Sequence, residues 1–227
     1  VPSYLLKLHG NVTMTADICF VNKIPFFSPL VGRYALQQST TSPTEQSRQY
    51  TKRMKRYTSF ISIADSASGT TLLVDGEFAP LQVLIQSLPG SPRVNLTSAS
   101  EHVPEIERRI RVVKERSGSL RHSLPFNRIP KLMTIHMVFI AVKLLNHFPP
   151  KGGILDTVSP KMIMTGETLD YKKHLSLQLG QDCQMHEEDT PRNSQLPGTQ
   201  GAICLGPSGN IQGGFKFMSL TTGKRIA

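Results

Sequence analysis

The sequence has no tryptophan, only three cysteines in 227 residues, and no apolar run long enough to cross a bilayer. Each shortage excludes something. Cys19, Cys183 and Cys204 are scattered, with no Cys-x-x-Cys pair and no paired-His spacing, which excludes a zinc finger or ribbon within this segment. An odd, sparse count also fits a reducing intracellular compartment and three ordinary buried thiols. The longest apolar stretch, residues 132–145, is broken by Thr134, His136 and Lys143 and falls short of the ~20 residues a spanning helix needs. No basic stretch precedes an apolar core near the start, so no signal peptide is expected. No Gly-rich phosphate loop of the P-loop or dinucleotide type occurs, which disfavours an NTPase or Rossmann enzyme. The chain opens on Val1, closes on a strand-like stretch, and reads as a segment of a longer polypeptide.

Acidic residues are scarce as well. Lys+Arg number 26 against 16 Asp+Glu, a formal net charge of +10, while 38% hydrophobic residues suffice for packed cores and argue against wholesale disorder. The excess favours an anionic partner, nucleic acid being the common one. It is not spread evenly. Residues 1–150 hold 18 Lys+Arg and 9 Asp+Glu (+9), and residues 151–227 hold 8 and 7 (+1). The break between them, Pro149-Pro150-Lys151-Gly152-Gly153, has the composition of a linker.

Before the break, periodicity predicts a mixed α/β unit. Val12, Met14, Ala16, Ile18 and Phe20 alternate, which predicts a half-buried strand over 12–21 with Asp17 on its opposite face. Segments 24–30 and 33–38 continue an antiparallel meander. Ser42-Pro43-Thr44-Glu45 is a capping box opening a helix with Lys52, Lys55 and Arg56 on its outer face. A strand over 70–74, a helix marked by Phe78, Leu81, Ile85 and Leu88, and a strand over 93–97 follow. A basic helix then starts near Val103, and an apolar one spans 130–147. This pattern fits an α/β layer architecture. After the break, Ser159-Pro160 begins a short helix closed by Gly166. Strands at 182–186, 201–206, 211–220 and 223–226, with a turn at Gly206-Pro207-Ser208-Gly209-Asn210, then suggest a small β-barrel.

Three carboxylates stand out by position. Asp17 lies mid-strand, where a charge is unfavourable unless it is paired or binds a cation. Asp75 ends an apolar strand, at the edge where α/β sheets place ligands. A strand-end Asp also serves as a turn or capping residue. Glu107 opens the basic helix and shares a face with Arg111 and Lys114, at i, i+4 and i+7. Arg108, Arg109 and Arg116 widen that surface. The plainer reading of Glu107 is an exposed ion pair with Arg111, and Glu105 is its rival as a ligand. His102, in the loop before the helix, is a candidate phosphate contact; His136 and His147 read as core or helix-end residues. Lys52-Arg53-Met54-Lys55-Arg56 reads as a solvated helix face, with nuclear import or DNA contact as alternatives.

These residues carry a resemblance. Met14-Thr15-Ala16-Asp17, Leu72-Leu73-Val74-Asp75-Gly76-Glu77-Phe78 and Pro104-Glu105-Ile106-Glu107-Arg108-Arg109-Ile110-Arg111 resemble the three acidic segments of the D,D,E integrase core of copia-type LTR retrotransposon polyproteins. Ser159-Pro160-Lys161-Met162-Ile163-Met164-Thr165-Gly166 is similar to the segment that joins core to barrel there. Ala202-Ile203-Cys204-Leu205-Gly206 and Gly213-Gly214-Phe215-Lys216 are similar to strands of the barrel itself.

The resemblance implies a ribonuclease-H-like mixed β-sheet with flanking helices over 1–148, a linker with a short helix over 149–173, and an SH3-like barrel, complete or truncated, over 174–227. It implies that Asp17, Asp75 and Glu107 hold two Mg²⁺ (or Mn²⁺) ions, and that Arg108, Arg111, Lys114 and His102 contact DNA. The implied activity is 3′-end processing and strand transfer of retroelement DNA into target DNA. A homo-oligomer, part of a retroelement polyprotein in nucleus and cytoplasm, would carry it out without a membrane. The alternatives are a catalytically degenerate nucleic-acid-binding remnant and a ribonuclease-H-type nuclease.

Overall fold

A computed structural model describes residues 13–31, 36–37, 40–41, 71–76, 79, 82–86, 93–97, 104–151, 155–186, 198–210 and 212–226. The capping-box helix and the basic run at 52–56 lie outside the described residues. The chain divides into two compact units. The first comprises 1–116 and 141–168, and the second 117–140 and 169–227. Among the described residues no helix is long and apolar enough to cross a membrane.

The first unit is built on a mixed sheet. Strands β1 (Thr13–Val21) and β2 (Ile24–Val31) form an antiparallel hairpin, and β3 (Leu36–Gln37) and β4 (Thr40–Thr41) pair with the far side of β2. Strands β5 (Thr71–Val74) and β6 (Arg93–Leu96) add on the other side of β1, both parallel, giving the order β3-β2-β1-β5-β6. A parallel pair needs a crossover between its strands. The short helix α1 (Gln82–Gln86) lies in the one between β5 and β6. The hairpin turn is Asn22-Lys23, with φ of 48° and 63°. Two left-handed residues give the mirror-type turn whose twist matches that of the strands.

Two long helices follow, each contributing residues to both units. Helix α2 (Pro104–His122) starts on Pro at a position where the missing N–H is unneeded. Glu105 and Glu107 in its first turn and Arg121 and His122 in its last complement the helix dipole. Its buried positions Ile106, Ile110, Val113 and Ser117 form one stripe, as the sequence pattern requires. Helix α3 (Lys131–His147) is buried on most sides, including Met133, Met137, Val138, Ala141 and Val142. In α4 (Pro160–Thr165), the Met162 N–H donates to the Ser159 hydroxyl at 3.2 Å, and Gly166 closes the helix at φ 72°.

In the second unit, β7 (Asp182–His186), β8 (Thr199–Pro207), β9 (Phe215–Ser219) and β10 (Arg225–Ile226) form a four-stranded antiparallel sheet in the order β10-β9-β8-β7. Ile203, Leu205 and Met218 pack on Met133, with Leu124, Phe126, Ile129 and Leu132 closing the cluster.

Three local expectations change. Strand β8 runs on past Gly206 through Pro207, which was expected in the turn. The register shifts between Cys204 and Gly206, and β7 pairs with β8 only as far as Ile203, so Pro207 has a side that needs no N–H. Strand β9 starts at Phe215, because Gly213 and Gly214 are held in the preceding loop. There the Gly214 N–H donates to Asn210 Oδ1 at 2.6 Å and the Ser208 hydroxyl donates to the Gly214 carbonyl at 2.8 Å. Helix α5 (Tyr171–His174) was not expected, although Asp170 caps it by accepting from the Lys172 and Lys173 N–H groups.

Candidate functional site

Side chains alternate along a strand. On β1, Met14 and Ala16 therefore share one face and lie buried, and on β5 Leu72 and Val74 do the same. Thr15, Asp17 and Cys19 project from the other face. The parallel register sets Ala16 beside Val74. The next residue on each chain is a carboxylate, Asp17 on one and Asp75 on the other. They leave neighbouring strands at the same level, where strands run ~4.8 Å apart.

The row extends further. Asp17 stands opposite Ser28 of β2, which is buried, and Val74 pairs with Leu96 of β6, so Thr97 follows at the level of Asp75. Extending the register by one residue places Ser28, Asp17, Asp75 and Thr97 in one polar row, Ser28 and Asp17 within β2 and β1 and Asp75 and Thr97 just past the ends of β5 and β6. The Thr97 N–H donates to the Val74 carbonyl at 3.0 Å and carries the ladder up to that row. Asp17 is half-buried and its Oδ1 accepts from the Ile18 N–H at 2.6 Å; Asp75 is exposed and its Oδ1 accepts from the Gly76 N–H at 2.6 Å.

One step along the same face of β1 lies Thr15. It is 2% exposed, and among the described residues its Oγ1 is the buried side-chain atom without a hydrogen-bond partner. The sequence reading missed Thr15 and Ser28. Alternation with Asp17 was a signal for Thr15; the pairing that brings in Ser28 was not readable.

Glu107 stands on a separate element. It is exposed on α2 together with Glu105, Arg108, Arg111 and Lys114, as the spacing predicted, while Ile106, Ile110 and Val113 are buried. Burial lowers the pKa of half-buried Arg109. Burial pushes the Cys19 thiol up; the Lys114 ammonium opposes that shift and Asp17 adds to it. The charge of Lys114 is thus felt on the β1 face that carries Asp17. Among the described residues, no group of three or more His, Cys, Asp or Glu side chains is gathered as a metal-ligand set. The row supplies two carboxylates and α2 supplies the basic surface. His102 lies outside the described residues.

Compared with models of known protein families and with curated proteins, the sequence matches none.

Proposed function

We propose that the chain is a DNA-integrating, metal-dependent polynucleotidyl transferase segment with a nucleic-acid-binding sheet domain appended. The observation that carries this reading is the parallel register that sets Ala16 beside Val74 in a mixed sheet, with Asp17 and Asp75 the next residue on each chain. Two like charges at that spacing favour a cation between them, and carboxylate oxygens suit a hard divalent ion. Two Mg²⁺ or Mn²⁺ ions, when bound, would activate the attacking water or 3′ hydroxyl and stabilise the leaving oxygen of a phosphodiester.

The protein's own residues position the reactants. Asp17, fixed mid-strand, and Asp75, at the strand end, would hold the ions, and Glu107 on α2 is the third carboxylate that the resemblance implies. Arg111 and Lys114 follow Glu107 at one and two turns on the same face of α2, so they would grip phosphates beside Glu107, and Arg108 extends that grip. The ribonuclease-H-like identity of the sheet unit, the SH3-like identity of the barrel, their limits at 148 and 174, action as a homo-oligomer on retroelement and target DNA, and intracellular residence within a retroelement polyprotein all belong to this proposal.

A strand-transfer assay with Mg²⁺ tests it. Asp17→Asn, Asp75→Asn and Glu107→Gln each lower joining on the order of 100-fold or more while DNA binding persists. Activity that survives all three substitutions defeats the assignment. A second reading is carried by the exposed cations of α2, which need no metal to bind phosphate: a nucleic-acid-binding remnant. It predicts salt-dependent DNA binding with no turnover under any divalent ion. Hydrolysis of an RNA–DNA hybrid without joining would instead identify a ribonuclease-H-type nuclease.

A further inference from the structure

Thr15 is buried at 2% exposure with its hydroxyl unpaired, in a strand position that valine would fill with the same shape. A buried hydroxyl is ordinarily satisfied, and one left unmade is unfavourable. Its neighbours across the sheet do not satisfy it: the register sets Thr15 between Leu30 of β2 and Leu73 of β5. Along its own strand, the next residue on the same face is Asp17, and by register Asp75 follows Val74 at the level of Asp17. The unpaired hydroxyl therefore borders the carboxylate pair on the face from which the carboxylates project.

We propose that Thr15 is a positioning residue of this site, its hydroxyl hydrogen-bonding the oxygen shell of a divalent cation held by Asp17 and Asp75. The inference rests on the metal-dependent reading of those carboxylates. A hydroxyl suits this place because it both donates and accepts, so it can meet either a water or a phosphate oxygen on the cation. Outer-shell partners of this kind orient the ligands, and their loss costs roughly 10–100-fold in metal affinity.

The test is Mn²⁺ titration of the full chain by calorimetry, without DNA, so that the readout is binding rather than turnover. Thr15→Val weakens Mn²⁺ binding about tenfold in at least one of two conditions, metal alone or metal with a phosphodiester; Thr15→Ala does the same, and Thr15→Ser stays within about twofold of the wild type. Without metal, Thr15→Val melts no lower than the wild type, since a purely apolar side chain fits the pocket. A repeat of the titration with a dinucleotide phosphodiester present separates the two oxygens. A Thr15→Val loss seen only with the phosphodiester assigns the hydroxyl to phosphate, and a loss seen in both assigns it to bound water. Mn²⁺ affinity unchanged in Thr15→Val under both conditions, with Asp17→Asn abolishing binding, overturns the role of Thr15 alone. Wild-type protein that binds no Mn²⁺, or an Asp17→Asn variant that binds it normally, overturns the carboxylate site and this inference with it.

Discussion

His136 shows how one side chain couples the sequence to pH. It is 5% exposed on α3, with its ring edge-on to Phe139 at a centroid distance of 5.9 Å. Its pKa is pushed down to about 4, first by burial and then by Lys216 and Arg225, against a raising hydrogen bond at the Leu205 backbone. In the unfolded chain the ring takes a proton near pH 6.5, but in the folded protein only near 4. Stability is therefore complete above pH 6.5, falls as pH drops through that window, and has lost about 3 kcal/mol below pH 4. Urea unfolding followed by far-UV circular dichroism (there is no tryptophan to report) checks this, and His136→Leu removes that part of the acid slope. The sequence identified His136 as a core residue from its apolar neighbours. It could not show that the charges of Lys216 on β9 and Arg225 on β10 act on the ring, since both are distant from it in the chain. Thr15 follows the same logic: its place on the Asp17 face was readable from alternation, but a missing partner can be counted only once every neighbour is placed.

At the level of elements, the legible parts are those whose signals are local. The short helix α4 was readable from its Ser159 cap, Pro160 and Gly166, because each acts on backbone groups within one turn. The buried stripe of α2 was readable from its spacing. Turns set by backbone sign were harder. The β1–β2 connection places Lys23 at φ 63°, where a side chain crowds its own backbone. Lys23→Gly is expected to stabilise the protein by up to about 1 kcal/mol, offset in part by the greater freedom of glycine in the unfolded chain. A rise in the urea midpoint with an unchanged slope confirms it, and a fall shows that the turn gains something from lysine. The start of β9 was misplaced because 211–214 reads as strand-compatible, while the hydrogen bonds tying Gly214 to Ser208 and Asn210 come from residues that meet only in the folded loop.

For the whole molecule, the charge excess has a thermodynamic consequence. Binding to duplex DNA releases counterions, so log K falls linearly with log salt, by about 0.9 for each phosphate neutralised. Replacing Arg108, Arg111 and Lys114 together by alanine is expected to reduce that slope by up to about 3 and to weaken binding similarly on unrelated sequences. Equal slopes for the two proteins, measured by fluorescence anisotropy over a salt series, would remove α2 from the DNA surface. The sequence by itself determined the charge partition and the buried stripe of α2, because these follow from composition and from the fixed period of the helix. Only the tertiary structure decided which strand ends lie side by side. The parallel register of β1 and β5 sets Ala16 beside Val74, with Asp17 and Asp75 next along each chain, and register is set by packing between segments distant in the chain, which no local pattern encodes.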